Sequence, residues 1–400
     1  MNCRGSILIF VVWILILLTL LATSVSLRSR LGIKLSTFFT HHSENAYRMH
    51  SAVNLAAYFI NEDEDPDNDS TFDSWYNTPK GFDGFELSKE VAISITDEES
   101  KINLNRVDKN QSAAPILTAF FDILKENNVQ LKTSPSDIIN SIMAWRGDNT
   151  AYEKGRPITE SEYKKCVNVN FNCFETAEEL KLIKYMTPED FETLKPFFTV
   201  YEPSTPLFQG QPTYFQPGGF FQIGANQQST FRVNINTVHE WILKALIQSS
   251  RIGSNSEKEL LCQAVIKARK GDAKNAPVTF DMTDIAPPGK GLIRKLWPKE
   301  TQDLESRGGT TDSFPAPGIV GLVNYLVSQF FTVNSQFFSV HVETKGEGSL
   351  PLAKAEAVLG PRQQILVKTA QRNYNSQWLW TDALRGYPYQ ILQWSERVKR

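Results

Sequence analysis

Residues 6–27 read SILIFVVWILILLTLLATSVSL and contain no charged side chain. As an α-helix, this stretch would be about 33 Å long, which is enough to cross the hydrocarbon core of a bilayer. Only the sequence MNCRG precedes it. We therefore predict a short leader at residues 1–5 and a membrane-spanning segment at residues 6–27.

The order of charged and apolar residues separates two kinds of N-terminal signal. An ordinary secretory signal has a stronger basic start, a shorter apolar core and small residues at a cleavage site beyond that core. Ala22-Thr23-Ser24 is acceptable as such a site, so a cleaved signal peptide remains an alternative. A basic leader that ends in glycine before the apolar run instead resembles the leader of a prepilin.

The tripeptide Arg4-Gly5-Ser6 resembles the site at which prepilin peptidase cleaves after a glycine. The resemblance implies that Ser6 becomes the new amino terminus, usually methylated. Most pilin-like proteins then carry a glutamate at the fifth mature position, where this sequence has Phe10. A buried carboxylate is costly without its partner, so its loss is tolerated where the subunit does not have to fit under another one. Because it lacks this glutamate, the sequence resembles the K-type minor pseudopilin of the type II secretion system.

Basic residues beside the apolar run give a conflicting indication of orientation. Arg28, Arg30 and Lys34 follow the run, whereas only Arg4 and the terminal amine precede it. The positive-inside rule would therefore place the rest of the chain in the cytoplasm. The resemblance implies the opposite orientation: a single-pass protein of the inner membrane with the bulk of the chain in the periplasm.

The composition is that of a globular protein with a hydrophobic core. The chain has 400 residues, of which 41% are hydrophobic, and this length predicts two or three folding units. The net charge of −2 gives no support to a polyanion-binding protein. The sequence contains no HExxH, GxSxG or P-loop motif, so we expect a protein that is not an enzyme.

A helical period continues beyond the membrane segment, through residues 28–60. Apolar residues recur at three- and four-residue steps, which predicts a stem helix with one face against a sheet. The acidic run at 61–65 and Pro66 predict the end of this helix. The predicted stripe consists of Leu31, Leu35, Phe38, His42, Ala46, Met49, Val53, Ala56 and Ile60.

Strand-like alternation occurs in two separated parts of the chain. It covers Val91, Ile93 and Ile95, and it returns at 335–344, 353–359 and 365–369. Between these parts, the sequence KINLN at 101–105 resembles the FNLN stretch after which the K-type family inserts a helical domain. We therefore predict an α+β, type IV pilin-like fold with a long N-terminal helix and an antiparallel sheet. The sheet domain would be split over residues 61–103 and 333–400, with a helical insert at 104–332.

Helix-period apolar residues predict five helices in the insert, at 113–127, 136–145, 177–185, 188–197 and 237–248. Residues 203–230 and 270–318 are rich in Gly, Pro, Gln and Ser, which predicts loops. Four motifs resemble the K-type family in their order along the chain: Ala144-Trp145, ETAEEL at 175–180, MTPE at 186–189 and VNINT at 233–237.

The VNINT motif also resembles the opening of helix-hairpin-helix domains in membrane-anchored DNA-uptake receptors. Those domains bind phosphate through backbone amides of a glycine-rich hairpin. Here the following helix runs into SSRIG at 249–253, without an LPGIG hairpin. We therefore interpret Asn236 as a helix cap and expect no nucleic-acid partner. A DNA-uptake receptor and a signal-anchored periplasmic enzyme remain the alternative functions.

Carboxylates that could hold a metal occur in two regions. In the first, four aspartates follow part of an EF-hand spacing, but the loop lacks the glycine and the bidentate glutamate that calcium binding requires. We interpret this region as a solvated linker after the stem helix. Its aspartates are Asp65, Asp67, Asp69 and Asp73.

The second region is the loop after Trp145. The resemblance to the K-type family implies calcium binding there, because family members carry an acidic loop at this position. Arg146 and Gly147 stand where the family tends to be acidic, which weakens the site or removes one ion. The candidate calcium ligands are Asp148, Glu153, Glu160 and Glu162.

Two cysteines in the same region, Cys166 and Cys173, bracket VNVNFN. A fully extended chain would place them about 23 Å apart, so a disulfide requires a turn between them. An oxidising compartment favours the bridge, and two separate buried thiols are the alternative. Cys262 lies among apolar residues and is predicted to belong to the core.

The ordered motifs and Phe10 together resemble a K-type minor pseudopilin. The resemblance implies a protein that caps the tip of the type II secretion pseudopilus, helps to nucleate it and so supports protein export across the outer membrane. It further implies I- and J-type minor pseudopilins, prepilin peptidase and the inner membrane as partners, and calcium as the bound ion.

Overall fold

The computed structural model describes residues 4–63, 65–107, 113–146, 152–153, 156–157, 174–201, 232–271, 276–286, 289–298, 317–345, 353–360 and 390–398. Within these ranges, the protein consists of one long helix, an antiparallel sheet and a group of shorter helices. The predicted α+β fold class is therefore confirmed.

The described helices and strands have the following bounds. The α-helices are α1 (Arg4–Asn61), α2 (Ala113–Glu126), α3 (Pro135–Trp145), α4 (Pro188–Leu194), α5 (Glu240–Ser249), α6 (Asn255–Lys270), α7 (Lys290–Leu296) and α8 (Pro317–Gln329). The strands are β1 (Val91–Asp97), β2 (Ile102–Asn103), β3 (Tyr152–Glu153), β4 (Arg156–Pro157), β5 (Phe198–Thr199), β6 (Val233–Asn234), β7 (Phe331–Thr332), β8 (Phe338–Thr344), β9 (Ala353–Gly360) and β10 (Gln390–Val398).

Helix α1 carries the apolar N-terminal stretch and continues unbroken into the head of the protein. Side chains from Leu8 to Thr40 are exposed on every face of the helix, and burial against the head is continuous only from Met49 onward. The predicted packing stripe is therefore wrong for Leu31, Leu35, Phe38 and His42, which are exposed. The physical reason is that the sheet covers only the last turns of the helix.

The sheet has the strand order β1-β8-β9-β10, and all neighbouring strands are antiparallel. Ile93 pairs with Val342 and Ile95 with Val340, so alternate apolar side chains of both strands face the buried side of α1. Three predicted strands match β1, β8 and β9. The predicted strand at 365–369 lies outside the described residues. The fourth strand of the sheet is β10, which the sequence analysis did not predict.

The chain leaves the sheet after β1 and returns to it at β8, and the group of helices lies between these strands. Buried apolar residues of this group form a second core, which runs in sequence from Ile102 to Val333. Helix α2 packs on α5, α5 on α6, and α6 on α8. Two short parallel pairs, β2 with β5 and β6 with β7, lie at the base of the insert.

Sequence periodicity predicted three of the five insert helices to within about three residues, namely α2, α3 and α5. The predicted helix at 188–197 is α4 followed by a 3-10 turn at Lys195–Phe197. The predicted helix at 177–185 is wrong, because the chain forms only a 3-10 helix at Ala177–Leu182. Tyr185 then adopts a positive φ of 67° and Pro188 begins α4, so there is no room for a longer helix.

The predicted loop at 270–318 is also partly wrong. It contains α7, whose Leu292 and Ile293 are buried in the insert core. This helix was missed because a seven-residue segment with so few apolar residues gives no readable period. The other predicted loop, 203–230, lies outside the described residues.

Candidate functional site

The N-terminal part of α1 presents an apolar surface that no other part of the described structure covers. Among the described residues, α1 is the one helix long and apolar enough to cross a membrane. The predicted processing residues, Gly5 and Ser6, lie in its first turns, and their side chains are outside the described set. Phe10 is 67% exposed, and the sequence has no acidic residue before Glu44. The apolar span therefore offers no carboxylate to a neighbouring helix.

The predicted entry to the insert, KINLN, holds three distant segments of the chain together. The side-chain amide of Asn103 donates to the carbonyl of Tyr201 at 2.8 Å. The side chain of Asn105 accepts from the backbone amide of Phe174 at 2.7 Å and donates to its carbonyl at 2.9 Å. The two asparagines therefore anchor chain segments that return roughly 70 and 100 residues later.

Three consecutive acids at the end of β1, Asp97, Glu98 and Glu99, are all buried. Asp97 accepts hydrogen bonds from the hydroxyls of Thr237 and Ser335, at 2.5 and 2.6 Å. Thr237 belongs to the insert, whereas Ser335 leads into β8 of the sheet. One carboxylate therefore joins the sheet, the insert and the segment that returns from the insert.

Glu98 and Glu99 extend this buried contact to further segments. Glu98 accepts from the ammonium of Lys101 and from the hydroxyls of Thr199 and Ser339. Glu99 accepts from the backbone amide of Gln336 at 2.7 Å. We refer to Asp97, Glu98 and Glu99, with the groups that they bind, as the acidic junction.

The carboxylates of the junction differ in how readily they ionise. Burial raises the pKa of Asp97 to about 6, although hydrogen bonds from Ser335, Thr237 and the Glu99 amide favour the charged form. Burial also acts to raise the pKa of Glu98, but Lys101 and the two hydroxyls outweigh it and hold the pKa below its usual range. The pKa of Asp97 is thus shifted up and that of Glu98 is shifted down, although the two carboxylates are adjacent in sequence.

The VNINT motif contributes to this junction rather than to a helix start. Asn234 donates to the carbonyl of Asp69 and to the hydroxyl of Ser335, at 3.0 and 2.9 Å. Asn236 exchanges two hydrogen bonds with the backbone of Phe280. The interpretation of Asn236 as a helix cap is therefore wrong, because His239 is the residue that caps α5, through Nδ1 and the amide of Trp241.

The turn between α5 and α6 bears on the DNA-uptake alternative. The first turn of α6 has a capping box in which Ser254 accepts from the Glu257 amide and Glu257 accepts from the Ser254 amide. These backbone amides are therefore already bound, and a carboxylate stands where a phosphate would have to bind. Within the described residues, this turn lacks the open amide cradle that a helix-hairpin-helix requires.

A second polar contact joins the insert to the sheet near the acidic junction. The ammonium of Lys195 lies 3.1 Å from Glu178 in the insert and 2.6 Å from Glu356 on β9. His341 stands opposite Glu356 in the register of β8 and β9.

The predicted calcium ligands lie almost wholly outside the described residues. Asp148, Glu160 and Glu162 are outside them, and Glu153 is described only as backbone in the hairpin of β3 and β4. The predicted disulfide partners Cys166 and Cys173 are also outside them, whereas Cys262 is buried in the insert core as predicted.

The two ends of this loop are nevertheless described. The ring of Trp145 stacks on that of Phe174, with centroids 5.6 Å apart and planes 12° from parallel. The side chain of Asn105 also binds the backbone of Phe174. The segment that carries the predicted calcium ligands and cysteines therefore begins and ends at one point of the insert core.

The linker after α1 is less solvated than predicted. Asp69 is fully buried and accepts from the backbone amide of Ser335 at 2.6 Å. Asp63, Asp69 and Asp73 could each offer an oxygen to one cation, since those atoms lie within 4.8 Å of one another. Burial and the neighbouring acids Asp63 and Asp65 raise the pKa of Asp73, against hydrogen bonds from Ser70. The solvated-linker interpretation is therefore wrong for Asp69.

An uninterrupted apolar helix, an antiparallel sheet packed on its C-terminal part and a helical insert anchored at the sheet edge define a pilin-like α+β protein. Within this class, residues 100–203 match the family model for protein K of the type II secretion system, first domain. The match covers the KINLN, ETAEEL and MTPE motifs, and within residues 100–203 it confirms the resemblance to the K-type family that was recognised from the sequence.

Comparison with curated proteins gives no match. Among solved structures, the chain is similar to a chain in the crystal structure of the GspK-GspI-GspJ complex of the enterotoxigenic Escherichia coli type 2 secretion system. The identity is 13%, the TM-score is 0.49, and the alignment covers 90% of this chain and 97% of the other.

Proposed function

We propose that this protein is a minor pseudopilin that caps the type II secretion pseudopilus and helps to nucleate it. The observation that carries the proposal is the match of residues 100–203, the first part of an insert within a pilin-like head, to the protein K family model. That head is carried by a helix whose apolar half is free to enter a membrane. Its role is assembly, without chemical turnover.

The position in the filament follows from Phe10 and from the insert. In a pilin-like filament the glutamate at this position neutralises the terminal amine of a neighbouring subunit, as the family resemblance implies. A subunit without that carboxylate loses nothing if no subunit stands ahead of it. The insert adds a second core of its own beside the sheet, and this bulk would obstruct a further subunit. Both features fit a subunit at the tip of the pseudopilus.

The proposed surroundings are those that the sequence resemblance implies. Prepilin peptidase would cleave after Gly5, and the I- and J-type minor pseudopilins would be the partners at the tip. The helix would span the inner membrane, with the head in the periplasm. We further propose that the loop closed by Trp145 and Phe174 binds calcium and contains the Cys166–Cys173 disulfide.

Labelling of an engineered cysteine tests the tip position. Asp122 is exposed on α2 of the insert, so Asp122→Cys should leave the fold intact and react with a bulky maleimide label. The label should be found at filament ends, and deletion of the protein should impair secretion and change pseudopilus length or number. Label along the filament shaft would contradict the cap and would return the DNA-uptake and enzyme alternatives to contention.

A further inference from the structure

The basic residues that follow the apolar run have no role in the proposed assembly. Arg28, Arg30 and Lys34 lie on α1 immediately after the membrane-spanning segment, and all three are exposed. We propose that these residues, here called the basic collar, bind the headgroups of anionic phospholipids where the helix leaves the bilayer. The inference goes beyond the proposed function and rests only on the part of it that places α1 across a membrane.

The depth of the collar fits the headgroup layer. The uncharged segment at 6–27 spans about 33 Å as a helix, close to the hydrocarbon thickness of about 30 Å. The collar then extends over about 9 Å of helix, and a headgroup layer is about 5–8 Å thick on each side of the core. The basic side chains therefore begin where the hydrocarbon ends, without a tilt or a kink in α1.

The collar presents charges on two roughly opposite faces of the helix. Arg30 and Lys34 are four residues apart and share one face, whereas Arg28 lies about 160° away from Arg30 around the axis. A single protein partner would meet charges on one side only. A lipid layer encloses the helix, and long basic side chains can reach its phosphates from both of these faces.

Among the described residues, no carboxylate forms an ion pair with the collar. Glu44 is the first acidic residue of the chain, and it lies about 15 Å beyond Lys34 along the helix, more than a Debye length at physiological ionic strength. Glu44 is itself bound by Arg48, 3.0 Å away. The field of the collar is therefore directed at whatever surrounds the helix at that level, and an anionic headgroup complements it.

Electron spin resonance of lipids beside the full-length chain tests the inference. The protein would be reconstituted in phosphatidylcholine vesicles with a trace of spin-labelled phosphatidylglycerol or spin-labelled phosphatidylcholine. We expect the anionic label to be immobilised about threefold more strongly than the neutral one, and 0.5 M NaCl to reduce the ratio toward one. The variant R28Q/R30Q/K34Q should give a ratio near one at low salt.

Two matched variants keep the result interpretable. R28K/R30K/K34R retains the charges and should retain the preference, which separates charge from a general disturbance of the helix. K80Q/K89Q/K125Q removes three exposed charges from the head and should leave the preference unchanged. Equal immobilisation of both labels by the unmodified chain would overturn the proposal, as would a preference that survives R28Q/R30Q/K34Q.

The outcome is independent of the proposed function. Both leaflets of these vesicles contain the same lipids and no other pseudopilin is present, so neither orientation nor tip assembly affects the ratio. If the Asp122→Cys label is found at filament ends but the chain shows no preference for anionic lipid, the lipid-binding role of the collar is rejected and the tip position is retained. If the chain prefers anionic lipid but the Asp122→Cys label is found along the filament shaft, the proposed tip position is rejected and the lipid-binding role of the collar is retained.

Discussion

The ammonium of Lys195 lies 2.6 Å from a carboxylate oxygen of Glu356, although the two residues are 161 positions apart in the sequence. Lys195 belongs to the insert and Glu356 to the sheet, so this contact crosses between the two cores. Both side chains are less than a quarter exposed, at 21% and 24%, so water screens their attraction only in part. Burial opposes the charge of Lys195, but Glu356 and Glu178 outweigh it and raise the pKa of the lysine.

Replacement of the lysine should destabilise the protein. Lys195→Met would leave Glu178 and Glu356 as two partly buried carboxylates without their shared cation, at an expected cost of about 1–3 kcal/mol in the free energy of unfolding. Chemical denaturation of the full chain in detergent would measure the cost. Lys354→Met is the matched control, because Lys354 and Glu343 form a cross-strand pair of the same sheet that is about half exposed. A cost no larger than that of the control would contradict a linking role for Lys195.

Asp97 should make the stability of the protein depend on pH in an unusual direction. Its pKa of about 6 is above the ordinary value of 3.8, so the native state holds the proton more tightly than the unfolded chain. The stability that protonation contributes is complete below about pH 4 and is lost as pH rises through about 6. Relative to Asp97→Asn, the unmodified protein should lose on the order of 2–3 kcal/mol between pH 4 and pH 7.5.

The neighbouring acid provides the control for this titration. Glu98 has a lowered pKa, so its contribution is present above the ordinary value of 4.5 and is lost as pH falls through the folded pKa. Glu98→Gln should therefore change the pH dependence in the opposite sense. Denaturation curves at several pH values would separate the contributions of Asp97 and Glu98. Parallel profiles of stability against pH for the unmodified protein and Asp97→Asn would disprove the raised pKa of Asp97.

The features that could be predicted from sequence are those with a local cause. The apolar run, the end of α1 before Pro66, three strands and four of the seven described insert helices follow from periodicity, which neighbouring residues fix; α6, α7 and α8 were not predicted. The burial of Asp97, Glu98 and Glu99 has no such cause. Charged residues are mostly exposed in proteins, and these three are buried because Thr199, Thr237, Ser335, Gln336 and Ser339 reach them from distant positions.

The KINLN and VNINT motifs, by contrast, mark the position of the acidic junction but do not show which groups their side chains bind. KINLN and VNINT were recognised by resemblance, and both lie where chain segments converge. Their asparagines bind backbone groups of remote residues, such as Tyr201 and Phe280. Such pairings cannot be read from spacing, so the cap assigned to Asn236 was a local explanation for a residue with a long-range role.

Calcium should stabilise the protein if the loop after Trp145 binds it. A ligand that binds only the native state raises the melting temperature by mass action. The soluble fragment from about residue 35 should therefore melt at a higher temperature with added Ca²⁺, and neutralisation of Asp148, Glu153, Glu160 and Glu162 should abolish the shift. The variant D63N/D73N is the matched control, since it removes the other acidic cluster and should retain the shift. No shift on calcium addition or chelation would leave the four residues as surface acids.

Processing should occur after Gly5. Mass spectrometry of the native protein should find an amino terminus at Ser6, and Gly5→Ala should block cleavage because the peptidase of the resembled family requires glycine before the cut. Gly32→Ala is a suitable control, since no atom lies within 4 Å of a Cβ added at Gly32. An intact Met1 would contradict the prepilin interpretation, and a start near Val25 would establish the cleaved signal peptide instead.

Introduction of the missing acid should have little effect on tip assembly. Phe10→Glu would supply the carboxylate that other pilin-like subunits offer to the amine of a neighbour, but at the tip no subunit stands ahead to use it. A charged side chain in the apolar segment also slows insertion, at a cost of up to about 3 kcal/mol at the centre of a helix and less near its end. Val11→Glu is the matched control, because it places the same acid beside position 10 on a different face of α1. We expect both variants to reach the same fraction of labelled filament ends once corrected for the amount inserted. A gain or loss confined to Phe10→Glu would show that position 10 meets a neighbouring amine, and would place the protein below the tip.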